Sequence, residues 1–123
     1  MDHTGSKSFL SKLPSGNYLL VTNDDSKERK NMTAFLSTDE CKTWSCKLLL
    51  DERKGTSYPM GIALEDGRIY IAYDYNRYAD EEICLASFTE DDIVKGEFTN
   101  PDSFTKRLVV KGYDGFKNAD KLF

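Results

Sequence analysis

A short pattern that occurs twice, about 50 residues apart, constrains this 123-residue chain more than any other feature. Leu13-Pro14-Ser15-Gly16-Asn17-Tyr18 overlays Leu64-Glu65-Asp66-Gly67-Arg68-Ile69, in each case a turn that leads into an apolar alternation. Further on, Ala34-Phe35-Leu36-Ser37 overlays Cys84-Leu85-Ala86-Ser87, which implies a slip of one residue between the copies.

Around these anchors the chain reads as short strands. Ser8-Phe9-Leu10-Ser11-Lys12-Leu13 pairs across the turn with Tyr18-Leu19-Leu20-Val21-Thr22. A polar loop follows, then a third strand at Met32-Thr33-Ala34-Phe35-Leu36-Ser37 and a fourth over residues 44–50. The order restarts with strands at 58–64, Ile69-Tyr70-Ile71-Ala72-Tyr73 and Ile83-Cys84-Leu85-Ala86-Ser87-Phe88, and residues 107–111 supply a fourth. Thr89-Glu90-Asp91-Asp92-Ile93-Val94 interrupts the second set. A capping threonine, acids in the first turn and Gly96 as a stop predict a short helical turn near 89–95.

Four antiparallel strands per repeat is the unit of a β-propeller blade. The fold class expected is therefore all-β, with one blade over 8–50, a second over 57–111 and a tail at 112–123. A small sandwich with coincidental hairpins is the competing architecture. Blades bury their faces against neighbours, so a pair is expected to need further blades or self-association.

Composition narrows the partners. Net charge is −4 and the lysines and arginines are dispersed, which argues against nucleic acid or an anionic membrane surface. No apolar run reaches the roughly 18 residues of a membrane span. Met1-Asp2-His3-Thr4-Gly5-Ser6-Lys7 lacks the features of a signal peptide. Three cysteines (Cys41, Cys46 and Cys84) and the single histidine His3 lack metal-ligand spacing, so free thiols are expected and neither metal nor cofactor is implied.

Ser37-Thr38-Asp39-Glu40-Cys41-Lys42-Thr43-Trp44 resembles the Asp-box, Ser-x-Asp-x-Gly-x-Thr-Trp, found between the third and fourth strands of sialidase-like propeller blades. Ser37, Asp39, Thr43 and Trp44 match it, and Cys41 stands where the family prefers glycine. The roles implied are structural. The aspartate accepts turn N–H groups, and the tryptophan packs into the blade.

The stretch from Ser57 to Asp74 resembles the late-blade region of exo-sialidases, with a tyrosine heading a first strand, an Asp-Gly turn, and a second strand ending in Tyr73-Asp74. The resemblance implies two C-terminal blades of a six-bladed propeller from a glycoside hydrolase acting on glycans, in a family often secreted or periplasmic. Sialidases use a tyrosine nucleophile. A neutral phenol avoids repulsion by the carboxylate on the substrate's anomeric carbon, and arginines bind that carboxylate through charged hydrogen bonds. Carried over, Tyr58 matches the nucleophile, and Lys7, Arg77, Asp74 and Tyr75 are candidate substrate-binding residues. Lys7 stands where relatives often carry arginine, which keeps the charge and loses the planar fork. Tyr73 and Tyr78 are further candidates for stacking on sugar. The activating glutamate and the acid/base aspartate would come from other blades, so the chain alone is expected to be inactive. The alternative is a non-catalytic carbohydrate-binding or scaffolding propeller.

Overall fold

The computed structural model describes residues 7–76 and 82–111. Two four-stranded antiparallel meanders account for the fold. The first contains β1 (Phe9–Lys12), β2 (Tyr18–Asn23), β3 (Met32–Ser37) and β4 (Cys46–Asp51). The second contains β5 (Thr56–Ala63), β6 (Ile69–Tyr75), β7 (Glu82–Phe88) and β8 (Phe104–Lys111), with α1 (Glu90–Lys95) between its last two strands. The all-β blades and the short helix expected from the sequence are both present. β4 starts at Cys46, two residues beyond the expected Trp44, because the Asp-box turn occupies the residues before it. The tail at 112–123 lies outside the described residues.

The repeat is closest at the hairpin turns. Leu13 N–H donates to the Asn17 carbonyl at 2.8 Å, and Leu64 N–H donates to the Arg68 carbonyl at 2.8 Å. Gly16 and Gly67 each adopt φ +95°, a backbone conformation open to glycine and strained for other residues. The register corrects the slip inferred from sequence. Tyr18 faces Ser37 and Ile69 faces Phe88, so equivalent residues lie 51 apart in both inner strands. Ala34 is thus equivalent to Leu85 and not to Cys84. Apolar and small residues at neighbouring positions made both frames look alike, and the strand pairing decides between them.

The core lies between the sheets. Leu19, Val21, Ala34, Leu36 and Leu48 from the first sheet pack with Ile69, Ile71, Tyr73, Ala86 and Phe88 from the second, all within 1% of full burial. Full burial of such side chains is worth about 1.5–3 kcal/mol each, so this shared layer is the main force holding the blades together. Ile93 of α1 joins the same cluster, and the helix packs on β3 and β4 of the first blade. Polar ties cross the same boundary. Asn23 Nδ2 donates to the Thr56 carbonyl at 3.0 Å, Thr105 Oγ1 to the Leu50 carbonyl at 2.5 Å, and Ser15 Oγ to Glu90 Oε1 at 2.8 Å.

Candidate functional site at the loop end

Strand direction divides the described chain into two ends. The hairpin turns, the Asp-box and α1 occupy one. The entry to β1, the 24–31 loop, the 52–55 link, the start of β5 and the end of β6 occupy the other. Strands of about six residues separate these ends by roughly 20 Å.

The Asp-box end is built for structure. Asp39 Oδ1 accepts from Ser37 Oγ and from Thr43 N–H, both at 2.8 Å, and Asp39 Oδ2 accepts from Thr43 Oγ1 at 2.5 Å. Led by the Thr43 hydroxyl and N–H, these donors hold the Asp39 carboxyl down at about 2. Cys41 adopts φ 70°, so a cysteine occupies the left-handed conformation that glycine takes without strain. Trp44 is half-buried just before β4.

Tyr58 lies at the loop end, and its placement follows from its neighbour. Pro59 has no N–H to donate to the ladder, and the β5–β6 register shifts between Ser57 and Met60. Tyr58 and Pro59 together oppose Tyr73, which makes a β-bulge. Tyr58 itself takes φ 51° at this bulge, a conformation costing a bulky residue about 1–3 kcal/mol. The ring is half-buried, with the Arg29 guanidinium 5.2 Å from its centroid. The loop carrying Arg29 is anchored to the second blade, since Gly55 N–H donates to the Arg29 carbonyl at 2.6 Å and Asn76 N–H to the Gly55 carbonyl at 3.1 Å. Within it, Asp25 Oδ1 caps Lys27 and Glu28 N–H at 2.8 and 2.7 Å, and Glu28 pairs with Lys54 at 3.0 Å.

At the same end, a polar network centres on the buried Asp51. Arg53 forks onto Asp51, with Nη2 to Oδ2 at 2.7 Å and Nε to Oδ1 at 2.9 Å, and Tyr73 Oη donates to the same Oδ2 at 2.8 Å. Burial alone would raise the fully buried Asp51 carboxyl, but the hydrogen bonds from Arg53 and Tyr73 outweigh it and hold the group below its ordinary value. Burial, and then the Asp51 charge, push the Tyr73 phenol upward, so it remains a donor. Arg53 also lies over Tyr75, 3.8 Å from the ring centroid. Such a network fixes geometry and leaves the Tyr73 phenol committed to Asp51 within the core.

The candidate substrate-binding residues divide accordingly. Lys7 is exposed at the entry to β1. Asp74 is half-buried opposite Ser57, and Tyr75 is half-buried with one face taken by Arg53. Tyr73 is 1% exposed and packs within the core, so it does not stack on a sugar. Arg77 and Tyr78 lie outside the described residues. Sequence reading passed over Arg29 and Arg53, both of which stand in charged stretches without a motif. For Arg53 the available signal was an aspartate two residues earlier, at a strand end. No cluster of His, Cys, Asp or Glu suited to a metal occurs among the described residues, and the three cysteines are free thiols.

A family model described as a BNR repeat-like domain matches residues 1–71, more than half of the chain. The chain belongs to the BNR repeat-like family. No curated protein and no solved structure matches this BNR repeat-like chain significantly. The matched segment holds the whole first blade, the Asp-box, Tyr58 and the second hairpin turn.

Proposed function

We propose that this BNR repeat-like chain supplies two blades of a sialidase-like propeller, with the loop end as its acidic-sugar site and Tyr58 as the nucleophile. One observation carries the reading. Tyr58 is held at positive φ in a bulge at the loop end, where its neighbours fix the ring's direction. Strain of this kind persists where the surrounding structure fixes a side chain for use. Lys7 and Arg29 are the described cations assigned to the sugar carboxylate, Arg77 is assigned the same role from the sequence alone, and Asp74 and Tyr75 are the remaining candidates for contact with the sugar. The acid/base aspartate and the glutamate that activates the phenol come from other blades, so turnover by these two blades alone is low.

A second reading is a carbohydrate-binding propeller without hydrolysis. It is favoured by the cation over Tyr58, where nucleophilic use calls for a carboxylate, and by lysine at position 7. Titration with sialic acid, followed by incubation with a 2,3-difluorosialic acid and peptide mapping, separates the two. In the labelling step the Tyr58 oxygen bonds to C2, fluoride departs with the C–F electrons, and the phenol proton passes to solvent. Labelled Tyr58, lost in Tyr58→Phe, supports the nucleophile. With the other blades present, saturable binding without label moves the conclusion to the second reading, and absence of binding rejects both.

A further inference from the structure

The first blade's inner face has a counterpart on the second blade that is left open. By the 51-residue offset, Phe9, Ser11, Leu13, Leu19 and Val21 are equivalent to Met60, Ile62, Leu64, Tyr70 and Ala72. On the first blade, Leu13, Leu19 and Val21 are at most 4% exposed because the second blade covers them. On the second blade, Met60, Ile62 and Leu64 are 63%, 57% and 38% exposed. The opposite surfaces correspond as well. Ile69, Ile71 and Ala86, which cover the first blade, are equivalent to Tyr18, Leu20 and Phe35 on the first blade's outer face. That outer face has Leu10 and Leu49 exposed at 57% and 46%, around half-buried Leu20 and already buried Phe35. One chain thus carries both halves of the interface that joins its own blades.

We infer that this chain associates head to tail with a second copy of itself, the outer face of one copy's second blade receiving the outer face of the next copy's first blade. The contact repeats the internal blade junction, so its twist and register are already set by the fold. Because the two faces differ, the association is heterologous, and it closes only as a ring. Propellers hold roughly 4 to 8 blades, so closure takes about two to four copies of a two-blade chain. The association does not depend on the sugar reading, since it is argued from the exposed blade faces alone.

Light scattering during size-exclusion chromatography over a dilution series tests it, with Ile62→Lys and Leu10→Lys as variants at exposed sites. The unmodified chain is expected to run at twice or more the 14.0 kDa of one chain, and each variant at 14.0 kDa. An equimolar mixture of the two variants keeps one intact junction and is expected to give a species of twice the single-chain mass. Met60→Lys provides a second disruption of the same face, and circular dichroism checks that every variant is folded. A monomer at all concentrations overturns the inference. So does a complex broken by Ile62→Lys and untouched by Leu10→Lys, which would mean that second blades meet each other.

Discussion

The two blades solve the same connection, third strand to fourth, in two different ways. In the first blade it is the Asp-box, a tight turn in which Asp39 gathers Ser37 Oγ, Thr43 N–H and Thr43 Oγ1. In the second it is α1 and a following turn, and there Asp92 gathers five donors. Its Oδ2 accepts from Thr89 N–H at 3.0 Å and Ser103 Oγ at 2.5 Å, and its Oδ1 from Thr99 N–H, Thr99 Oγ1 and Asn100 N–H at 2.9–3.1 Å. Thr89 Oγ1 in turn accepts from Asp92 N–H, which completes a capping box. A single carboxylate organises each connection, but Asp92 is fully buried and Asp39 is half-buried among exposed turn residues. The chemistry is shared, and burial sets how much each acid matters.

Asp92→Ala is the substitution that should separate them most. It leaves several part-buried donors without an acceptor and frees α1 from the 99–103 turn, with an expected loss of about 3 kcal/mol. Against a domain stability of about 5–15 kcal/mol that is a large fraction, readable as a lower urea midpoint. Asp39→Ala should lower the midpoint less, because water can replace the acid at an exposed turn. Equal losses would break the comparison and make the Asp-box as central to stability as the helix.

Legibility in the sequence follows the same division. The Asp-box could be read because its donors and acceptor fall within seven residues, in a recurring order. The helix and its Thr89 cap could be read for the same local reason. Asp92 could not be singled out from Glu90-Asp91-Asp92, because helical phase and residues 7–11 positions downstream decide which acid turns inward. Glu90, two positions earlier, instead reaches the first blade's turn, accepting from Ser15 and Asn17 at 2.8 and 3.0 Å. The Tyr58–Arg29 pair was equally out of reach, since it joins a loop of the first blade to a strand of the second. Short-range chemistry was visible, and long-range partners were not.

Acid should expose the pair in a second way. Both carboxyls titrate below the ordinary carboxylate value of 3.8 when folded. For Asp92, burial acts against this, but the Ser103 hydroxyl and the Thr89, Thr99 and Asn100 N–H groups outweigh it. Each group thus binds fewer protons folded than unfolded in that range. Each contributes stability that is complete above the unfolded value and is lost as pH falls through the folded one. For Asp39 the window runs from 3.8 down to about 2, and for Asp92 it extends lower. Urea midpoints measured from pH 5 to pH 2 should fall steadily in the unmodified chain. Asp92→Asn should flatten that slope more than Asp39→Asn, and the reverse order would mean that the exposed turn carries the larger coupling.

The smallest effect concerns the residue that departs from the Asp-box pattern. At φ 70°, Cys41 incurs a penalty of about 1–2 kcal/mol that a glycine escapes. Glycine in return loses more backbone entropy on folding, about 0.5–1 kcal/mol. Cys41 N–H donates to Ser37 Oγ at 3.0 Å, a bond that either residue makes. Cys41→Gly should therefore raise stability by about 0.5 kcal/mol, measured as a higher urea midpoint at unchanged slope. A fall would mean that the half-buried thiol has packing worth more than the strain it brings, and that the first blade's turn, like the second's, is stabilised by what it covers as well as by its aspartate.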